Sequence, residues 1–182
     1  NILGHGEKVV IPSRALNELQ RLLASGEEAS LCLAGDRATF TVGQATLSTS
    51  LLQIEFPNYR QLIQPSYPNT LTTAREPLLE AIRRCRILAR ETTPVRLEMT
   101  ATSLKLIVVT QDVGNTVEEL DATMVGSEIT VGFNPEYLAN GIEAVSGDEI
   151  TIQTTDPIKP AVLRGVGAPD YLYLVMPQRL TN

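Results

Sequence analysis

Histidine and cysteine are nearly absent from this chain, and their scarcity removes most catalytic readings at once. His5 is the only histidine and sits between Gly4 and Gly6 in an N-terminal turn. The two cysteines, Cys32 and Cys85, lie inside apolar patterns without CxxC spacing and read as reduced core residues of a cytosolic protein. No nucleophile elbow, phosphate loop or cluster of metal ligands occurs. Neighbouring acids such as Glu118-Glu119 and Asp148-Glu149 read as ordinary strand or turn charges. Neither catalysis nor a cofactor or metal is therefore expected. No apolar run approaches a membrane span, and the N-terminus carries no signal or transit pattern, so a soluble cytoplasmic protein without a membrane partner is expected. Asn1 opens abruptly, without an initiator methionine, which reads as a fragment.

What is present is a globular composition. With 182 residues, 43% hydrophobic and 20% charged, the chain can bury a real core in one or two domains. The formal charge of −6 argues against a surface that coats nucleic acid generally. Its distribution is uneven. Between Arg75 and Arg96 six arginines face three glutamates, a net +3 that leaves −9 for the remainder. The plain reading of such a run is a solvated helix face.

In chain order, Lys8–Ile11 reads as a strand, and Pro12 and Ser13 open a helix with an apolar stripe of Ala15, Leu16, Leu19, Leu22 and Leu23, closed by Gly26. Arg14 and Arg21 share its opposite face with Asn17 and Glu18. Three strands follow, 29–34, 37–42 and 45–52, turning at Gly35-Asp36 and Gly43-Gln44. A proline-rich connector, 56–69, leads to a short strand and a helix from about Glu76 to Arg90. On that helix Leu78, Ile82, Cys85, Leu88 and Ala89 make the core arc, with Arg83, Arg86 and Arg90 on a flank. Ile87 lies opposite the arc, as an incidental surface residue or a subunit contact. Three more strands follow, 95–100, 104–110 and 116–124.

The pattern then restarts. A strand at 129–131 precedes a helix capped by Asn134, with Pro135 first and Leu138, Ile142 and Val145 as its stripe. Strands 150–154, 161–165 and 171–176 complete a third strand–helix–three-strand unit. Ser25-Gly26-Glu27-Glu28 matches Ser146-Gly147-Asp148-Glu149 at an offset of 121, and Phe56-Pro57-Asn58 matches Met176-Pro177-Gln178 at 120. Offsets this close imply tandem copies of one domain built from two units. The chain would hold half of one copy, residues 1–64, and all of the next, 65–182. The final strand is apolar at odd and even positions, as in a central strand covered on both faces. Pro177 is expected to end it and send Gln178, Arg179 and Leu180 over the surface, where Met176, Pro177 and Leu180 would rim an apolar groove. The competing reading is a closing strand with a frayed end.

At four places the chain resembles the bacterial DNA sliding clamps, the β subunits of DNA polymerase III: Val9-Val10-Ile11-Pro12, Phe56-Pro57-Asn58-Tyr59-Arg60, Gly132-Phe133-Asn134-Pro135-Glu136-Tyr137 and Val175-Met176-Pro177-Gln178-Arg179-Leu180. The resemblance spans the whole chain. It implies an α+β DNA clamp fold, with helices on one face of antiparallel sheets, in a non-catalytic processivity subunit. It also implies a head-to-tail homodimeric ring around double-stranded DNA, whose wall attracts phosphates loosely. Candidate DNA-facing residues are then Arg14, Arg21, Arg83, Arg84, Arg86 and Arg90. The third helix departs from this, carrying Glu136, Asn140 and Glu143 on its polar face. For Arg84, pairing with Glu80 four residues earlier competes with a DNA role.

Clamps also accept short peptides of the polymerase III α subunit, the clamp loader, other polymerases and repair proteins. Their pocket corresponds here to Pro57, Gln61 and Leu62, to Ile158 and Pro160, and to the run Leu174, Val175, Met176, Pro177, Gln178, Arg179 and Leu180. Gln61 stands where some relatives have a basic residue, and Pro160 replaces a small polar one. Ile87 and Leu88, with Glu118 and Glu119 on the neighbouring strand, correspond to the subunit interface. A chain without the first domain would be monomeric. The rival reading is a β-rich peptide-binding adaptor with no DNA role.

Overall fold

The computed structural model describes residues 8–23, 28–89, 93–110 and 114–180. The Gly4-His5-Gly6 turn, Ser25, Gly26, Glu27 and Arg90 lie outside the described residues. The chain forms two compact units, Asn1–Asn58 and Tyr59–Asn182, dividing slightly ahead of the expected boundary after Gln64.

In the first unit a helix, α1 (Ser13–Leu22), precedes the antiparallel strands β1 (Ala29–Ala34), β2 (Arg37–Val42) and β3 (Ala45–Ser50). Pro12 stands just before α1, where its missing N–H removes no helical hydrogen bond. Gly35 and Gly43 begin the two-residue turns at φ 59° and 55°, values that only glycine takes without strain. Alternation along β2 buries Ala38, Phe40 and Val42. Three expectations are corrected here. Lys8–Ile11 forms no ladder: the Val10 carbonyl accepts from Leu52 N at 2.8 Å, but a single bond makes no strand. Cys32 is exposed, because the two-residue period of β1 turns Leu31 and Leu33 to the covered side and Cys32 away. Leu16 of the apolar stripe is 44% exposed, since no second helix packs on α1 among the described residues of this unit.

The second unit repeats one module twice. The first module is β4 (Asn69–Ala74), α2 (Arg75–Leu88), β5 (Val95–Met99), β6 (Ser103–Thr110) and β7 (Gly114–Val125). The second is β8 (Ile129–Phe133), α3 (Pro135–Glu143), β9 (Glu149–Thr154), β10 (Ala161–Gly165) and β11 (Ala168–Val175), continued by β12 (Pro177–Gln178). The strands run in the order β11-β10-β9-β4-β7-β6-β5-β8-β12, every pair antiparallel. β4 lies between β7 and β9 as β8 lies between β12 and β5, so the pairing itself has a pseudo-twofold.

Each module ends in a strand that serves both sheets. β7 pairs with β6 along Gly114–Asp121 and with β4 along Ala122–Val125. Its counterpart changes sheets across one residue: Val175 closes β11 opposite Ala161, and Pro177 opens β12 opposite Phe133. β11 and β12 are the two ends of the strand order, so Met176 alone closes the sheet on itself. Pro177 therefore does not take the chain off the sheet. It begins a two-residue end strand, a position that tolerates a proline. β11 is likewise an end strand, not a central one. Its apolar run has another cause: Tyr171, Leu172, Tyr173 and Leu174 are all half-buried, and α3 packs against the strand. Gly141 of α3 leaves room for the Tyr173 ring, and Tyr171 donates its hydroxyl proton to the Gly141 carbonyl at 3.4 Å.

The core lies between the helices and one face of the sheets. Leu78, Ile82 and Cys85 of α2, Leu138 and Ile142 of α3, and Leu104, Leu106 and Val108 of β6 are fully buried. Lys105, Ile107 and Val109 face the other way. The fold is thus α+β, with helices on one face of antiparallel sheets. Asn134 caps α3 as expected, its Oδ1 accepting from Glu136 N at 2.9 Å and Tyr137 N at 3.2 Å. Burial pushes the Cys85 thiol up to about 11.

Two outcomes follow. Ile82→Ala should lower the unfolding free energy by about 2–5 kcal/mol in urea denaturation, whereas Ile87→Ala, at an 83% exposed position, should stay within about 0.5 kcal/mol; equal losses would contradict the core assignment. A thiol-reactive dye at pH 8 should label one cysteine of the folded chain, Cys32, and both after denaturation, because Cys85 is neither accessible nor ionised at that pH.

Candidate functional site

The closure at Met176 sets the position of a groove. β12 and the residues after it lie on β8, and Gln178, Arg179 and Leu180 form one wall of a cavity of about 330 Å³. Gly132 of β8 and Pro157-Ile158, from the loop between β9 and β10, complete it. Gly132 has to be glycine for this approach: a Cβ there would fall 2.6 Å from Leu180 Cδ2 and 2.9 Å from the Gln178 carbonyl oxygen. The opposite loop is fixed by Asp156, whose Oδ1 accepts from Ile158 N at 3.0 Å and Lys159 N at 2.9 Å, while Lys159 Nζ approaches its Oδ2 at 3.1 Å. The hydrogen bond from Ile158 N, aided by Lys159, holds the Asp156 carboxyl below the usual range. The turn presents Ile158 at 74% exposure beside the half-buried Leu180, so two apolar side chains converge on an open cavity. Gln178 adds a polar group whose Oε1 is buried without a partner among the described residues.

Of the residues matched to the clamp pocket, Ile158, Gln178, Arg179 and Leu180 thus share one groove. Met176 is 57% exposed at the sheet closure, and Pro160, Leu174 and Pro177 are half-buried. Val175 is 2% exposed and belongs to the core. Gln61 and Leu62 are exposed on a short 3-10 turn, Tyr59–Leu62, and Pro57 is exposed in the first unit. Gly132 and Pro157 were not among the expected pocket residues. A glycine inside a strand is the signal that could have found Gly132, since it marks a close backbone approach.

The basic residues divide by their partners. On α1, Arg14 is exposed and Arg21 Nη1 lies 3.3 Å from Glu18 Oε2. On α2, Arg83 Nη2 donates to Glu143 Oε1 of α3 at 2.7 Å. Arg84 donates from Nε and Nη2 to the two carboxylate oxygens of Glu118 at 2.8 and 2.9 Å, with Glu80 at 3.9 Å. That fork holds the Glu118 carboxyl below its usual range. Arg86 is exposed and has no ion pair among the described residues. Ile87 is exposed on the same helix, and Leu88 packs partly against the core. Along Gly114–Asp121, β7 has β6 on one side and no strand on the other among the described residues, which leaves an open edge beside Glu118 and Glu119. Glu119 faces outward, 3.6 Å from Lys105.

The family model described as "DNA polymerase III beta subunit, C-terminal domain" matches residues 60–179, nearly the whole second unit. The beta sliding clamp of Synechococcus elongatus is 34% identical over 180 residues, covering 96% of this chain and 48% of its own. That of Streptomyces coelicolor is 31% identical, with 95% and 49% covered. Among solved structures, a DnaN sliding clamp from Bartonella birtlesii bound to griselimycin superposes with a TM-score of 0.85 at 28% identity, over 96% of this chain and 48% of that one. The chain spans about half the length of the curated relatives it matches. With the family model covering the second unit and the likeness to the clamps continuing through the first, the chain belongs to the DNA polymerase III beta-subunit family of sliding clamps.

Proposed function

We propose that this chain is part of a DNA sliding clamp, a ring that encircles duplex DNA without reading its sequence and keeps a replicative polymerase on its template, with no chemistry of its own. Family membership supports the role. The observation that carries it is the groove at the carboxyl end, where Ile158 and Leu180 converge on an open cavity rimmed by the β12 tail. Its occupants are short peptides of the polymerase III α subunit, the clamp loader, other polymerases and repair proteins. Met176, Pro177 and Leu174 flank the groove and extend its apolar surface, and Gln61, Leu62 and Pro160 of the same unit add to it. Phosphate attraction comes from Arg14 and Arg86, with Arg21, Arg83 and Arg84 contributing where their carboxylates release them and Arg90 as a further basic residue of the same run. Ile87, Leu88 and the open edge of β7, with Glu118 and Glu119, meet the next subunit of a head-to-tail homodimer in the cytoplasm.

A peptide-binding adaptor with no DNA role is the second reading. The observation that favours it is that Arg83 and Arg84 already hold carboxylates of their own chain.

Fluorescence anisotropy with a labelled clamp-binding peptide tests the groove. Leu180→Ala and Met176→Ala should each weaken binding roughly tenfold, about 1.4 kcal/mol, and affinities equal to the parent would remove the site. Retention of the complete protein on DNA separates the two readings. A clamp stays on closed circular duplex and slides off once the circle is linearised, and Arg86→Glu should shorten retention more at low salt than at high. An adaptor would show neither behaviour.

A further inference from the structure

The ion pair between α2 and α3 has a role that a count of arginines hides. Arg83 and Glu143 are about half exposed, at 52% and 48%, and are joined through a single guanidinium nitrogen at 2.7 Å. The Arg84 pair differs: its fork engages two nitrogens and a carboxylate only 24% exposed, so it belongs to the scaffold that ties α2 to β7. Glu76 and Glu80 also lie near Arg83, but Glu143 is the carboxylate that hydrogen-bonds it. Any phosphate that recruits Arg83 must displace Glu143 and leave that carboxylate to be rehydrated, so less counterion release remains to drive binding.

We infer that Glu143 is a built-in attenuator of DNA attraction: it withholds Arg83 from phosphate, and α2 therefore offers the duplex a weaker, looser hold than its arginines would give unpaired. The inference rests on the duplex-binding role proposed above. An attenuator suits a protein that has to slide, since each tight phosphate contact would add friction. It also identifies a position where one neutral substitution strengthens binding.

The test uses this chain with a fluorescein-labelled duplex over a salt series. Glu143→Gln should bind roughly three- to tenfold tighter at 50 mM salt and steepen the log–log salt slope by about 0.9, one added phosphate contact. Glu136→Gln makes the same charge change on the same helix, at a carboxylate with no ion pair among the described residues, and controls for net charge. The gain of Glu143→Gln should exceed that control and vanish in the Arg83→Ala/Glu143→Gln double variant. A gain equal to the control, or one that survives Arg83→Ala, overturns the inference; so does lower stability with unchanged affinity, which marks a mere strut. If no variant binds duplex, parent included, the duplex-binding reading falls separately. Elution from immobilised heparin then decides: later elution of Glu143→Gln than of Glu136→Gln, abolished by Arg83→Ala, supports the attenuator, and equal elution refutes it.

Discussion

The second unit depends on one covalent constraint: β11 and β12, at opposite ends of the strand order, are separated by a single residue. Two residues of chain span only about 7 Å, so the rim of β10–β11 and the rim of β8 must meet at Met176. Most of the site follows from that. The tail is pressed onto β8, which makes Gly132 necessary, because no side chain fits between β8 and Leu180. Met176 is pushed outward while Val175 remains in the core. The groove therefore lies at the seam, where its walls come from three separate stretches held by the same closure. Groove residues carried on strand ends and an Asx-fixed turn are pre-positioned, which reduces the ordering entropy of the site for any ligand it takes.

Electrostatics act in the opposite direction, toward looseness. A chain with a formal charge of −6 presents positive potential only through local basic surfaces. On α2 two of these bases are engaged by carboxylates brought from other elements, Glu143 of α3 and Glu118 of β7. The Arg83–Glu143 bridge is solvent-exposed enough that its contribution to stability is small, so its larger effect is on which cations face outward. A basic run in sequence and a basic surface in space are different quantities, and here the second is smaller.

Local periodicity made much of the fold legible. The apolar arc of α2 with Ile87 opposite it, the Asn134 cap and the glycine turns of the first unit all depend on neighbours within a few residues. The strand–helix–three-strand module was legible too, because helical and two-residue periods alternate along the chain. What sequence could not supply was pairing over distance. Nothing local distinguishes Lys8–Ile11, which lacks a ladder, from Pro177-Gln178, which gains one against Gly132 and Phe133. Cys32 departs from the core because apolar neighbours alone do not fix the two-residue phase of β1. The Arg83–Glu143 pair joins residues 60 apart, and its existence depends on α2 and α3 lying side by side.

The open edge of β7 shows how the same rules limit assembly. An unpaired strand edge invites another strand, and natural proteins guard such edges with charge. Here the guard is of one sign: Glu118, Glu119 and Asp121 all lie in the unpaired stretch, and no lysine or arginine lies between Gly114 and Asp121. If two copies met β7 to β7, these acids would face one another across the new ladder, and like charges in opposition destabilise a strand pair. Arg84 relieves Glu118, and Lys105 partly relieves Glu119, but Asp121 has no ion pair among the described residues. Self-pairing across a twofold is thus disfavoured, and the edge favours a different, less acidic strand. Contact between unlike edges is the heterologous geometry, which closes into a ring when the rotation between neighbours permits. A charge pattern that would be only a solubility device on an isolated domain therefore also disfavours pairing of β7 with the same strand of a second copy.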